Sequence, residues 1–133
     1  MKKTEIIGVE GIPRPLRGFP LAHVTTRSGC RTMRCSMQFG SAGANNGKET
    51  VRSVMQNLLK LLGRADMTFR DVTHFTVAYG GTEDEWQSIV GDAIHAFLPS
   101  NGHWPTVDKV GLPAGLVGCV VGISLIAEKD SQK

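Results

Sequence analysis

The sequence predicts an α+β domain: a mixed β-sheet with two helices packed on one face. Three observations carry this. Two segments repeat apolar residues at helical spacing, several others read as strands, and one strand falls between the two helices. In the first helix, Asn46 is a candidate cap and Glu49, three residues on, completes a capping box. Val51, Val54, Met55, Leu58, Leu61 and Leu62 follow at helical spacing, and Gly63 offers a stop. In the second, Thr82 and Glu85 form the capping box, and Trp86, Ile89, Val90, Ala93, Ile94 and Phe97 form the apolar stripe. Pro99 ends it.

Residues 5–9, 21–26 and 31–38 are predicted to form an N-terminal β-meander. Residues 72–79, between the helices, are rich in β-branched and aromatic side chains. Residues 104–110 and 116–127 supply two strands after the second helix. The expected order is therefore β-β-β-α-β-α-β-β. A strand–helix–strand passage requires a crossover, so part of the sheet is parallel and both helices share one face.

The last strand bears on assembly. Residues 116–127 carry no charge and barely alternate, unlike a strand with one wet face. Two helices cover one side of it, so the other must meet something, and a second copy of the chain is the simplest candidate.

At 133 residues, with 41% hydrophobic and 20% charged residues, the composition is that of one soluble globular domain. The net charge of +3 is small and scattered, and only eight residues are aromatic, so nucleic acid is not an expected partner. Glu5, Glu10 and Arg14 interrupt the N-terminal segment, which does not read as a signal peptide, and no apolar run is long enough to span a membrane. Three cysteines, Cys30, Cys35 and Cys119, with no Cys-x-x-Cys pair, fit a reduced, cytoplasmic setting. Residues 11–18 read as an ordered loop, residues 40–47 as the most flexible internal stretch, and the polar tail from Glu128 as frayed.

Five segments in register resemble the RidA/YjgF family of enamine/imine deaminases, which have a chorismate-mutase-like fold. Glu49-Thr50 with Asn57-Leu58 resembles the family's Gln-Thr…Asn helix, and Asp71-Val-Thr-His-Phe-Thr-Val-Ala-Tyr79 its Asp-Val-Val-Lys-Val-Thr-Val strand. Residues 86–98 resemble its second helix, Leu112-Pro113 its Leu-Pro turn, and residues 123–127 its closing strand. The resemblance spans residues 28–127. It implies a homotrimer with small-molecule clefts between neighbouring subunits and no cofactor.

The resemblance also implies where the chemistry would sit, and there the residues differ. Trp104 stands where the family's carboxylate-gripping Arg is expected, with no Arg or Lys within four residues. Ser124 occupies the position of the water-positioning Glu, and Val90 lies near that of the second-helix Asn. The family's Ser-Gly-Gln becomes Ser36-Met37-Gln38, and Pro20 lies closest to its N-terminal-loop Tyr. An Arg–carboxylate fork contributes roughly 1.5–3 kcal/mol, which a Trp cannot supply. A pocket of Trp104, Val90 and Met37 suits a flatter, more apolar ligand than a small imino acid. The stretch Gly18-Phe-Pro-Leu-Ala-His-Val24 weakly resembles the Arg-Phe-Pro-His-Val of the family's aminomuconate-deaminase-like branch, which acts on aromatic ring-cleavage acids.

Trp104 either lines a ligand site, with His103 and Thr106 beside it, or plugs the cleft left by the Arg. On an extended strand Trp104, Thr106 and Asp108 share a face, and Asp108 is either a base or an exposed strand-end carboxylate. His23 and His103 are candidate general bases or ordinary hydrogen-bonded histidines. Ser124 either holds a water or bonds to backbone. His74 and His95 have no partner at metal-ligand spacing, so no metal is expected. Cys119 reads as core; Cys30 and Cys35 lie among Arg27, Arg31 and Arg34, which can lower a thiol pKa. The site residues expected are His23, His103 and Ser124 for catalysis, with Trp104, Thr106, Ser36, Met37 and Val90 for binding. The expected function is cofactor-free hydrolysis or tautomerisation of an imine, enamine or ring-cleavage product by a trimer. A non-catalytic ligand-binding or scaffold trimer is the alternative. A ribonuclease has neither a catalytic pair nor a basic patch to support it.

Overall fold

In the computed structural model the strand order across the sheet is β1-β2-β3-β7-β5-β6, with β4 also paired to β7. The structure describes residues 2–6, 8–10, 12, 19–39, 47–80, 84, 86–99, 102–111 and 121–130. The strands are β1 (Lys2–Ile6), β2 (Ala22–Arg27), β3 (Cys30–Cys35), β4 (Gln38–Phe39), β5 (Val72–Tyr79), β6 (Thr106–Gly111) and β7 (Val121–Asp130). The Asn46 cap, the Thr82/Glu85 capping box, the Leu112-Pro113 turn, Cys119 and loop residues 11, 13–18 and 40–46 lie outside the described residues.

Helix α1 (Gly47–Arg64) buries its whole predicted stripe: Val51, Val54, Met55, Leu58, Leu61 and Leu62 are each 0–1% exposed. They pack with Phe75 and Val77 of β5, Ile123 and Leu125 of β7, and Met33 of β3 in one core. Gly63 does not stop the helix. The stop falls at Asp66, whose φ of 59° is left-handed. There Met67 N–H donates to Leu62 O at 2.9 Å and Asp66 N–H to Gly63 O at 3.1 Å, a Schellman closure. Arg31 Nη1 donates to Ala65 O at 2.7 Å and Lys129 Nζ to Asp66 O at 2.8 Å, so β3 and β7 hold the last carbonyls.

Between α1 and β5, Thr68 accepts from Arg70 N–H and Asp71 accepts from Thr68 N–H, a capping box around the 3₁₀ turn Phe69–Asp71. Phe69 stacks edge-on against Phe97, with centroids 5.8 Å apart. The second helix, α2, is not a plain α-helix. A π turn over Trp86–Gly91 runs into an α turn over Asp92–His95. It still buries Val90 and Ile94 against the sheet, while Ile89, Ala93 and Phe97 are partly buried. Both helices join this core, on one side of the sheet.

Crossing through α2 makes β5 and β6 parallel, as a crossover requires, whereas every other pairing is antiparallel. β2 and β3 form a hairpin through Ser28 and Gly29, with φ of 51° and 80°, the two-residue turn whose twist matches its strands. Four strand expectations shift. β1 lies three residues earlier than predicted: Val9 instead bridges Ile12, and the mostly exposed β1 is held by its ladder to β2. Residues 31–38 divide into β3 and β4, because four residue steps from Arg34 to Gln38 face three from Ile126 to Ile123, leaving one extra residue as a bulge. β6 begins at Thr106, two residues later than predicted. Glu128–Asp130, expected to fray, are the last residues of β7, paired to β3.

Asp66 supplies a test. Left-handed backbone costs a non-glycine residue about 1–2 kcal/mol, and its exposed carboxylate lies 3.7 Å from Lys129, a surface pair worth about 0–1 kcal/mol. Asp66→Gly keeps the carbonyl bond to Lys129 and should raise the melting temperature, whereas Asp66→Val should lower it. Equal melting temperatures for the two variants would show that this helix end is not strained.

Candidate functional site

The two faces of the sheet carry different chemistry. Residues in register on neighbouring strands share a face. Arg34, Ile126, His74 and Thr106 therefore form one row across β3, β7, β5 and β6, on the face opposite the helices, and His23 extends it onto β2. Ser124, Thr76 and Asp108 form the next row. On the helix side of β7, Val121, Ile123, Leu125 and Ala127 are buried. On the outer side Ser124 and Ile126 are only half-buried.

His74 and Asp108 meet on this outer face. His74 Nε2 lies 3.0 Å from Asp108 Oδ2, with the side chains 26% and 67% exposed. Parallel pairing brings them together: Asp108 is the register partner of Thr76, so it sits diagonally across from His74. The expected strand-end carboxylate thus has a histidine partner. Thr106 stands directly beside His74.

His103 is anchored. Its Nε2 lies 2.7 Å from Val72 O; a carbonyl only accepts, so Nε2 donates and the lone pair is left on Nδ1. Trp104 lies before β6, not on it, so it does not share a strand face with Thr106 and Asp108. It is 70% exposed and meets His95 of α2 edge-on at 4.7 Å. It therefore fills no cleft within its own chain.

The other expected residues divide between the faces. Ser36 and Met37 occupy the bulge between β3 and β4, half-buried and level with the Ser124–Leu125 segment of β7. Ser36 accepts from Gln38 Nε2 at 3.4 Å, and its N–H donates to Leu21 O at 2.8 Å. His23 lines a shallow polar trough of about 260 Å³ with Thr25, Arg27, Cys30, Thr32 and Arg34. Val90 is on the opposite side of the sheet. There it lines an apolar groove of about 250 Å³ between α2 and β6, with Val77, Ile94, Val107 and Lys109. Within one chain, then, Ser124, Thr106 and His23 share the outer face, Ser36 and Met37 lie in the bulge beside the Ser124 segment, and Val90 is on the opposite side. Sequence reading passed over His74, because its partner lies 34 residues away and only the parallel ladder brings them together.

Among the described residues no three His, Cys, Asp or Glu side chains cluster as metal ligands, and no helix is long and apolar enough to cross a membrane. Cys35 is not activated by its arginine neighbours. Burial pushes its thiol up to about 11, against the opposing effect of Leu125 N–H donating to Sγ at 3.4 Å. Cys30 is exposed. At pH 8 iodoacetamide should modify Cys30 well before Cys35, and Cys35 labelling should climb only as pH approaches about 11. Peptide mass spectrometry reads both sites. Equal labelling at pH 8 would show that the Cys35 thiol is not held protonated.

No family model matches the sequence, and no curated protein matches it. Solved structures do. RidA from the Antarctic bacterium Psychrobacter is 19% identical, with a TM-score of 0.73 over 93% of this chain and 98% of its own. A Rid-family protein of unknown function from Yersinia pestis is 20% identical, with a TM-score of 0.75 over 95% and 98%. An L-PSP endoribonuclease candidate from Entamoeba histolytica is 22% identical, with a TM-score of 0.71 over 95% and 98%. These likenesses cover nearly the whole of each chain, and the chain has the RidA/YjgF fold.

Proposed function

We propose that the chain is a RidA-like protein, a homotrimer whose subunits meet on the outer face of the sheet and enclose small-molecule pockets between them. Each pocket takes a partly apolar or aromatic imine, enamine or ring-cleavage product and hydrolyses or tautomerises it without a cofactor. The observation that carries this is the state of the β6 side of the sheet. The helices leave the outer face uncovered, and all six residues of β6 are exposed, Val110 at 45% on that face and Val107 at 47% on the helix side. Trp104, just before β6, is 70% exposed. An exposed edge strand with apolar side chains invites a partner, and a trimer would cover it while keeping the polar rows at its clefts. The fold supports the same assembly by analogy.

A second reading is a trimer that binds its ligand without turning it over. It is favoured by Trp104 and Ser124, which stand where the resemblance places an Arg and a Glu.

Native mass spectrometry should give three times the 14.3 kDa chain mass. Imines made by an amino-acid oxidase and trapped with semicarbazide should disappear faster with the protein present. Trp104→Ala should weaken turnover of aromatic imines, with KM rising severalfold, as expected when an aromatic ring that contacts substrate is removed. Trp104→Arg should shift preference toward small imino acids by restoring a carboxylate partner. A trimer that leaves every imine untouched would leave the binding reading. Salt-sensitive RNA binding would instead support the endoribonuclease description carried by the Entamoeba protein.

A further inference from the structure

We infer that His74 is the general base of this site and Asp108 its positioning residue, an assignment that rests on the imine-hydrolysis reading above. The geometry determines the roles. An ionised carboxylate only accepts hydrogen bonds, so the 3.0 Å contact puts the imidazole hydrogen on Nε2 and leaves the lone pair on Nδ1. No partner for Nδ1 is found among the described residues. Asp108 thereby selects the tautomer and holds the ring, the arrangement by which a carboxylate prepares a histidine to take a proton.

Position supports the assignment. The pair lies on the face the helices leave open, at the β5–β6 side where that face meets its free edge. Thr76 and Ser124 form the adjacent row, with hydroxyls that can hold a water. Ile126 gives an apolar floor directly opposite His74 on β7. The other candidates lack a carboxylate partner among the described residues: His103 Nε2 donates to the Val72 carbonyl, and His23 lies beyond Arg34 on β2, three strands from His74. Among the described residues, the charged or titratable groups around His74 are Asp108 on β6, Glu128 one pair along β7, Arg34 across Ile126 on β3, and His103 at the Val72 carbonyl.

The step balances without any co-reactant. Nδ1 takes a proton from water as its oxygen bonds to the imine carbon. The C=N π electrons move to nitrogen, and the imidazolium gives its proton to that nitrogen, leaving a neutral carbinolamine and a neutral His74. Nδ1 then takes the hydroxyl proton as the C=O bond forms and the C–N bond breaks, and the imidazolium passes that proton to the departing nitrogen, which leaves as ammonia. Imine and water yield carbonyl compound and ammonia, and His74 ends as it began.

The test uses the purified full chain in the imine assay. His74→Gln should lower kcat/KM at least about 100-fold, the usual contribution of a positioned base, with trimer mass and circular dichroism unchanged. The pH profile of the variant should differ in shape from that of the wild type. Free imidazole should restore part of the rate to His74→Gly. Asp108→Asn should lower kcat with little change in KM, and Asp108→Glu should recover much of it. If the glutamine variant is unstable, imidazole rescue and the Asp108 pair of variants decide. An active wild type whose His74 variants keep its rate and pH profile overturns the base assignment alone. An inactive wild type overturns the imine-hydrolysis reading and the base with it.

Discussion

β7 is the strand on which the rest of the molecule is hung. It pairs with β3 and β4 along one edge and with β5 along the other, so its register decides what every neighbour presents to each face. Val121, Ile123, Leu125 and Ala127 point to α1 and α2 and close the core. Gly122, Ser124, Ile126 and Glu128 alternate with them and form the middle of the outer face. A slip of one residue would exchange the two sets, placing serine and glutamate in the core. Burial of the inner set makes that slip prohibitive, and the outer rows inherit their order from it.

The bulge between β3 and β4 follows from the same constraint. Arg34 belongs to the outer face and Gln38, four residues on, to the buried one, where it is only 3% exposed. One extra residue reverses the alternation and lets both keep their side. It also lifts Ser36 and Met37 out of the ladder beside the Ser124 segment. On the far side of β7, parallel pairing of β5 and β6 sets His74 beside Asp108. The polar groups of the outer face come from strands widely separated in sequence, and β7 is their common reference.

Much of the architecture was legible in the residue pattern. The α1 stripe could be read because a helix burying one face repeats its apolar residues every three or four positions, and all six predicted positions are buried. A strand between two helices implied a crossover, and β5 and β6 are parallel. Boundaries were less legible. Gly63 carries no stop, because the left-handed position that ends the helix is occupied by Asp66 and completed by Met67 donating to Leu62. β1 was misplaced because Val9, an apolar residue that suggested a strand, is used in a local bridge to Ile12. The candidate site was legible only in part: Ser124, Thr106 and His23 do share a face, but Trp104, assigned to β6, precedes it and meets His95.

By itself the sequence determined the class of fold, the core face of each helix and the order of elements, because periodic burial and crossover geometry are local or nearly local rules. Only the tertiary structure decided which charged side chains meet. His74 and Asp108 are joined by a diagonal contact across a parallel ladder, His103 is committed to the carbonyl of Val72, and Val90 lies across the sheet from Ser124. Those relations depend on strand register and on which face each residue takes, and both are fixed by packing against α1 and α2, not by spacing along the chain.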